Sequence, residues 1–195
     1  MTYPTIPELD TLLSCDGVVQ EGLTSGQILT LVQADTEVGA TTLCKQIAAA
    51  NTSHAAYINI GPPLGCLPCE VVVDATSWVL TDVVNAVTCL LRGGIKVVIV
   101  DTLYYLCWSS DLAPELGWQA IGSRLKPLLA EHEAVAILVS GKGRDPVTGN
   151  VYFIGQYALK SVSDFIVQMY PEFTLTCVWA PGGCSFSEVS WKERK

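Results

Sequence analysis

Ten residues carry the clearest chemistry in this sequence: Gln33-Ala-Asp-Thr-Glu-Val-Gly-Ala-Thr-Thr42. A loop that cradles phosphate needs a strand before it, a fixed length and a helix after it. Its template is a small residue, four others, then Gly-Lys-Ser/Thr. Ala34 fills the small position and Gly39 the glycine. Thr41 stands where a hydroxyl would hold magnesium, and Thr42 follows it. Ala40 stands where the lysine should be. That lysine normally reaches the β and γ phosphates and neutralises charge there. Asp35 and Glu37 instead add negative charge to the loop. The helix N-terminus still offers backbone donors and a partial positive charge, which is weak against two carboxylates. Taken alone, the loop also fits an ordinary strand–helix turn.

The elements that would position this loop follow from hydrophobic patterning. Ile28-Leu-Thr-Leu-Val32 reads as a buried strand, and residues 41–50 as a helix with Leu43, Ile47 and Ala50 on one face. Residues 55–60 form a second strand, 82–91 a helix closed by Gly93-Gly94, and 96–101 the clearest buried strand. Residues 115–130 read as a helix with Leu116, Ile121, Leu125, Leu128 and Leu129 inward, kinked or shortened by Pro127. A strand at 134–139 then enters a polar loop over 141–150. Residues 165–169, 174–179 and 185–191 are strands without intervening helices, with a turn at Pro181-Gly-Gly183. Strand–helix alternation followed by antiparallel strands predicts a three-layer α/β domain. Its sheet is expected to be mostly parallel, with an antiparallel C-terminal edge hairpin.

Bulk composition narrows the function classes. The chain has 195 residues, 50% hydrophobic and 15% charged, where a soluble domain carries about 25% charged residues. Mean hydropathy is +0.38. This excludes a disordered or low-complexity chain, and no apolar run approaches the roughly 18–20 residues of a membrane span. The apolar excess points to a partner interface. Net charge is −8, with Lys and Arg absent before Lys45, so nucleic-acid contact must be local or shared with a basic partner. Eight cysteines without a secretory signal read as free thiols in a reducing compartment. Cys66-Leu-Pro-Cys69 is at most half a zinc site, because a second close pair is missing. His54 and His132 are isolated and lie in no ligand or nucleophile pattern.

The order of further landmarks resembles the RecA-type recombinase superfamily over roughly residues 6–180. Ile6-Pro-Glu-Leu-Asp10-Thr-Leu-Leu13 and Gly22-Leu-Thr-Ser-Gly26-Gln-Ile-Leu29 resemble the leucine-rich leader and glycine turn before that family's phosphate-loop (P-loop) strand. Val97-Val-Ile-Val-Asp101-Thr102 looks like the Walker B strand, whose aspartate acts on magnesium through a hydroxyl or water. Leu116 to Ala130 resembles the helix after it, and Gly155-Gln-Tyr-Ala-Leu-Lys160 the re-entry motif after the second DNA loop. The flavour is nearest the eukaryotic and archaeal strand-exchange recombinases and their paralogues. The resemblance implies one RecA-like domain over 1–195: a leader at 1–27, a core at 28–160 and C-terminal strands at 161–195.

Departures from the family pattern carry the functional expectation. Ala40 replaces the lysine, Gly61 stands near the family's catalytic glutamate, and Ser140-Gly141 replace the polar amide ending the sensor strand. Three losses look like decay of an ATPase, leaving Asp101 to cap a strand end or pair with Thr41. The resemblance then implies a non-hydrolysing accessory subunit, docked on another RecA-fold protein in a hetero-oligomer and assisting homologous recombination. No catalytic residue, metal or cofactor is expected, although a still-competent pocket would take ATP and magnesium. Single-stranded DNA would be held weakly or through the partner, with Lys142, Arg144 and Lys160 as contacts and Trp108 and Trp118 as stacking or interface residues. A solvated loop is the plainer reading of Lys142 and Arg144. Residues 1–5 would be a remnant of the segment that adds to a neighbour's sheet. The location would be intracellular, nuclear in a eukaryote and cytoplasmic otherwise. Two alternatives stand beside this: a scaffold subunit of a tRNA-modifying ring, and a true DNA-dependent ATPase whose lysine was changed to Ala40.

Overall fold

A computed structural model describes residues 1–14, 21–33, 39–61, 64–103, 114–144, 147, 151–153, 156–171, 174–180 and 188–191. The helices are α1 (Pro7–Leu13), α2 (Ala40–Ala50), α3 (Leu80–Arg92), α4 (Pro114–Glu131) and α5 (Gln156–Val162). The strands are β1 (Thr2–Tyr3), β2 (Leu23–Thr24), β3 (Ile28–Gln33), β4 (Ala55–Asn59), β5 (Val71–Asp74) and β6 (Val97–Asp101). They continue with β7 (Val135–Arg144), β8 (Val151–Phe153), β9 (Phe165–Tyr170), β10 (Thr174–Trp179) and β11 (Glu188–Ser190).

The main sheet runs β11-β10-β9-β3-β7-β6-β4-β5. All neighbours from β9 to β5 are parallel. The pairs β9–β10 and β10–β11 are antiparallel, so the expected antiparallel edge is present. The central strands are continuous apolar runs because both sheet faces are covered. On one face Leu29, Leu31, Ile99 and Ile137 pack with α1 and α2. On the other, Ile28, Val32, Val100 and Leu138 pack with α3, α4 and α5. Helix, sheet and helix make the three layers.

Several expectations need correction. In α4 the buried stripe is Trp118, Ile121, Leu125 and Leu129, while Leu116 is 55% exposed. At 100° per residue Leu116 lies roughly 200° from Trp118, on the outer side. In α2 the stripe is Leu43, Cys44, Ile47 and Ala48. Ala50 falls roughly 90° from its centre and is exposed. Pro127 does not end α4, where it sits on the exposed side.

The polar segment after 139 is not all loop. Strand β7 continues through Gly141-Lys-Gly-Arg144 and pairs antiparallel with β8, Lys142 opposite Phe153 and Arg144 opposite Val151. Glycine and charge lower intrinsic strand preference, but the backbone ladder of the hairpin holds the segment extended. Within residues 1–5, β1 pairs inside this chain. Thr2 and Tyr3 pair with Thr24 and Leu23 of the same chain, and the Tyr3 hydroxyl donates to the Glu133 carbonyl at 2.6 Å.

That N-terminal staple depends on Gly22, whose φ is +112°. A Cβ there would lie 2.0 Å from the Tyr3 carbonyl oxygen. Gly22→Ala is therefore expected to cost about 1–3 kcal/mol of stability. Urea denaturation should show the midpoint fall with an unchanged slope.

Candidate functional site

The sheet order creates one place where neighbouring strands part. After β3 the chain crosses to α2 on one face, and after β6 it crosses to α4 on the other. The chain leaving β7 likewise reaches α5 on the α4 side. At the carboxyl ends of β3 and β7 the chain thus diverges to opposite sides. Open α/β sheets bind ligands at such a switch point.

Gly39 begins α2 in the left-handed conformation, with φ +85°, a geometry suited to glycine. Its carbonyl accepts the first helical bond, from the Leu43 N–H at 2.9 Å. Ala40 is buried at the first helical position, and Thr41 and Thr42 follow half-buried. The Thr41 Oγ1 donates to Asp101 Oδ2 at 2.7 Å. The pairing expected between these residues is therefore present.

Asp101 ends β6, on the face that α2 covers, and is 2% exposed. It collects three hydroxyl donors. Besides Thr41, the Tyr57 hydroxyl donates to Oδ2 at 2.6 Å, and Thr102 Oγ1 donates to Oδ1 at 2.5 Å. Tyr57 lies on β4 opposite Ile99, and Asn59 lies opposite Asp101. Strand alternation puts Tyr57 on the same face as Asp101. Burial, then Cys44 and Asp101, hold the Tyr57 hydroxyl far above its ordinary range, so it remains a proton donor. Burial, with Asp101 adding to it, also raises the Cys44 thiol one turn along α2 from Thr41.

Of the residues expected at the phosphate loop, the structure brings together Gly39, Ala40, Thr41 and Asp101. Ala34 and Trp108 lie outside the described residues. Two of the proposed DNA contacts, Lys142 and Lys160, lie on different aromatic rings. The Lys142 Nζ lies 5.3 Å from the Tyr170 ring centroid, and burial lowers its pKa. Arg144 ends β7. The Lys160 Nζ lies 5.5 Å from the Trp179 ring centroid. Tyr170 ends β9, while Trp179 lies opposite Ile166 near its start. The two cation–aromatic pairs are thus separated by roughly 13 Å of strand.

Trp118 does not flank a loop. It is fully buried in the core beneath α4. Trp191 is also buried, and its indole donates to Gln46 Oε1 at 2.9 Å. Cys66 is exposed, Cys69 is half-buried, and both are free thiols. Among the described residues no three His, Cys, Asp or Glu side chains are grouped to hold a metal. Likewise, no described helix is long and apolar enough to cross a membrane. Tyr57 is the site residue that the motif reading missed. Its signal was one aromatic hydroxyl in an otherwise apolar strand, Ala55-Ala-Tyr-Ile.

No protein-family model and no curated protein matches this chain.

Proposed function

We propose that this chain is a non-hydrolysing subunit with a RecA-type core, which docks on another RecA-fold protein and assists recombination on single-stranded DNA. The supporting observation is Ala40 at the start of α2, beside a Thr41 that is tied to the strand-end Asp101. The helix start and the strand-end aspartate support a phosphate-loop reading in which an alanine replaces the cation. Without that cation the loop has little to offset a triphosphate.

The docking half of the reading draws on the far edge of the sheet. Among the described residues β5 pairs only with β4. Val72 on this strand is 52% exposed, and nearby Val79 is 50% exposed. An open edge with apolar residues is a template for an added strand. Glu70 and Asp74, both exposed, flank that edge and favour a basic partner segment. The net charge of −8 and the separation of Lys142 from Lys160 favour DNA contact shared with that partner.

Calorimetry on the unmodified chain with magnesium and ATP is expected to show no binding. Micromolar affinity would sink the non-hydrolysing reading. Affinity capture followed by mass spectrometry is expected to return a RecA-fold protein. Recovery of tRNA-modification subunits would replace recombination with the ring-scaffold reading.

A further inference from the structure

We propose that Cys66 and Cys69 are a redox-active dithiol, which closes reversibly into a disulfide by exchange with a small-molecule disulfide of the glutathione type. The two thiols stand three residues apart in Cys66-Leu-Pro-Cys69. Both are free, and they are unequal: Cys66 is exposed and Cys69 is half-buried. Leu67 between them is 8% exposed and belongs to the core cluster under α1 and α2. Pro68 restricts the backbone, and the chain bends from Pro68 to Glu70. The segment is thus pinned from its apolar side, with one thiol left at the surface. Cys69 packs against the same cluster, and its Sγ donates to the Val71 carbonyl at 3.5 Å. Burial, with Cys66 adding to it, holds the Cys69 thiol above its ordinary range, against a hydrogen bond from the Tyr57 backbone. Among the described residues no third His, Cys, Asp or Glu joins the pair to make a metal site.

An accessible thiol beside a protected resolving thiol gives the exchange an order. The Cys66 thiolate attacks one sulfur of the small disulfide, forms a mixed disulfide and expels the first small thiolate. The Cys69 thiol then gives its proton to solvent, and its sulfur attacks Cys66 Sγ. That step forms the Cys66–Cys69 bond and expels the second small thiolate. The pair is oxidised by two electrons, and the small disulfide is reduced to two thiols. A disulfide sulfur has no proton to donate, so closure also removes the Cys69 bond to Val71, the first residue of β5. On the docking reading above, on which this consequence alone rests, oxidation acts at the entrance to the open edge strand.

The test compares the wild-type chain with C66S and C69S. Each is incubated with glutathione disulfide, the remaining thiols are blocked by alkylation, and the peptides are mapped by mass spectrometry. In the wild-type chain Cys66 and Cys69 are expected to be joined to each other, and to reopen under reduced glutathione. C69S is expected to stop at a glutathione adduct on Cys66. C66S is expected to react at Cys69 at least about tenfold more slowly than C69S reacts at Cys66. A wild-type chain that stops at an adduct on Cys66 would overturn the proposal, as would Cys66 joined to another cysteine. Equal rates in the two variants would overturn the assigned order. Zinc that co-purifies with the chain and leaves when these thiols are alkylated would replace the dithiol with a metal site. The wild-type mapping decides the disulfide even where a variant fails to fold. Failure to capture a RecA-fold partner would instead sink the functional reading and leave the dithiol standing.

Discussion

Trp118→Ala is expected to lower the free energy of unfolding by about 3–5 kcal/mol. The side chain is fully buried in the cluster that joins α4 to the sheet. A buried tryptophan removes about 150–250 Å2 from water, more than any other residue type in that layer. Deleting it leaves a cavity that a close-packed interior fills only in part. Against a total stability of about 5–15 kcal/mol, the loss is a large share. Its indole nitrogen has no hydrogen-bond partner among the described residues. Trp118→Phe should therefore recover most of the loss, since it keeps an aromatic ring and removes an unpaired buried donor. Urea unfolding followed by circular dichroism measures both variants. A change below about 1 kcal/mol for the alanine variant would contradict the core placement. The same variant separates packing from base stacking, because a stacking role would reduce DNA binding without reducing stability.

The sequence pattern was most legible where one period dominated. Buried parallel strands such as Val97-Val-Ile-Val-Asp101 carry no alternation to misread, and their order sets the mixed sheet with its antiparallel edge. Helix faces were less legible, because a leucine count ignores angle. Leu116 looked inward by residue type, yet Trp118 sets the stripe. The hairpin of β7 and β8 was hidden for a different reason. Its first arm, Gly141-Lys-Gly-Arg144, has poor local preference, and the pairing that stabilises it comes from residues 151–153. Similarly, the small sheet of Thr2–Tyr3 with Leu23–Thr24 rests on a contact across twenty residues of chain, which no local window reports.

At the site, the same division between local and distant information holds. Gly39, Ala40 and Thr41 were readable from a fixed spacing, and Asp101 from its place at the end of an apolar strand. Their meeting follows from the parallel order that places β6 one strand beyond β7. Tyr57 was not readable, because its role comes from register. It lies two residues before Asn59, the residue paired with Asp101, and strand alternation returns it to the same face. A chemistry-based motif search looks for acids and cations, and passes over a phenol that is held protonated.

Asp101→Ala is expected to cost about 3 kcal/mol, and the partition of that loss tests the hydroxyl network. The substitution removes the acceptor of three hydroxyls. Tyr57 is fully buried and Thr102 is 7% exposed, so neither can turn to water. Each buried donor left unpaired costs about 1–3 kcal/mol. Thr41 is only half-buried and can rotate toward solvent, so its share is small. Removing the charge itself returns part of the cost, since burying a carboxylate is unfavourable. Tyr57→Phe alone should cost about 1 kcal/mol, because Oδ2 keeps the Thr41 bond. The double variant D101A/Y57F must then lose less than the two single losses combined, because the phenol left stranded by D101A is gone. A coupling of about 0.5–3 kcal/mol is expected from urea midpoints across the four chains. Additivity within about 0.5 kcal/mol would mean that Tyr57 and Asp101 act independently in solution.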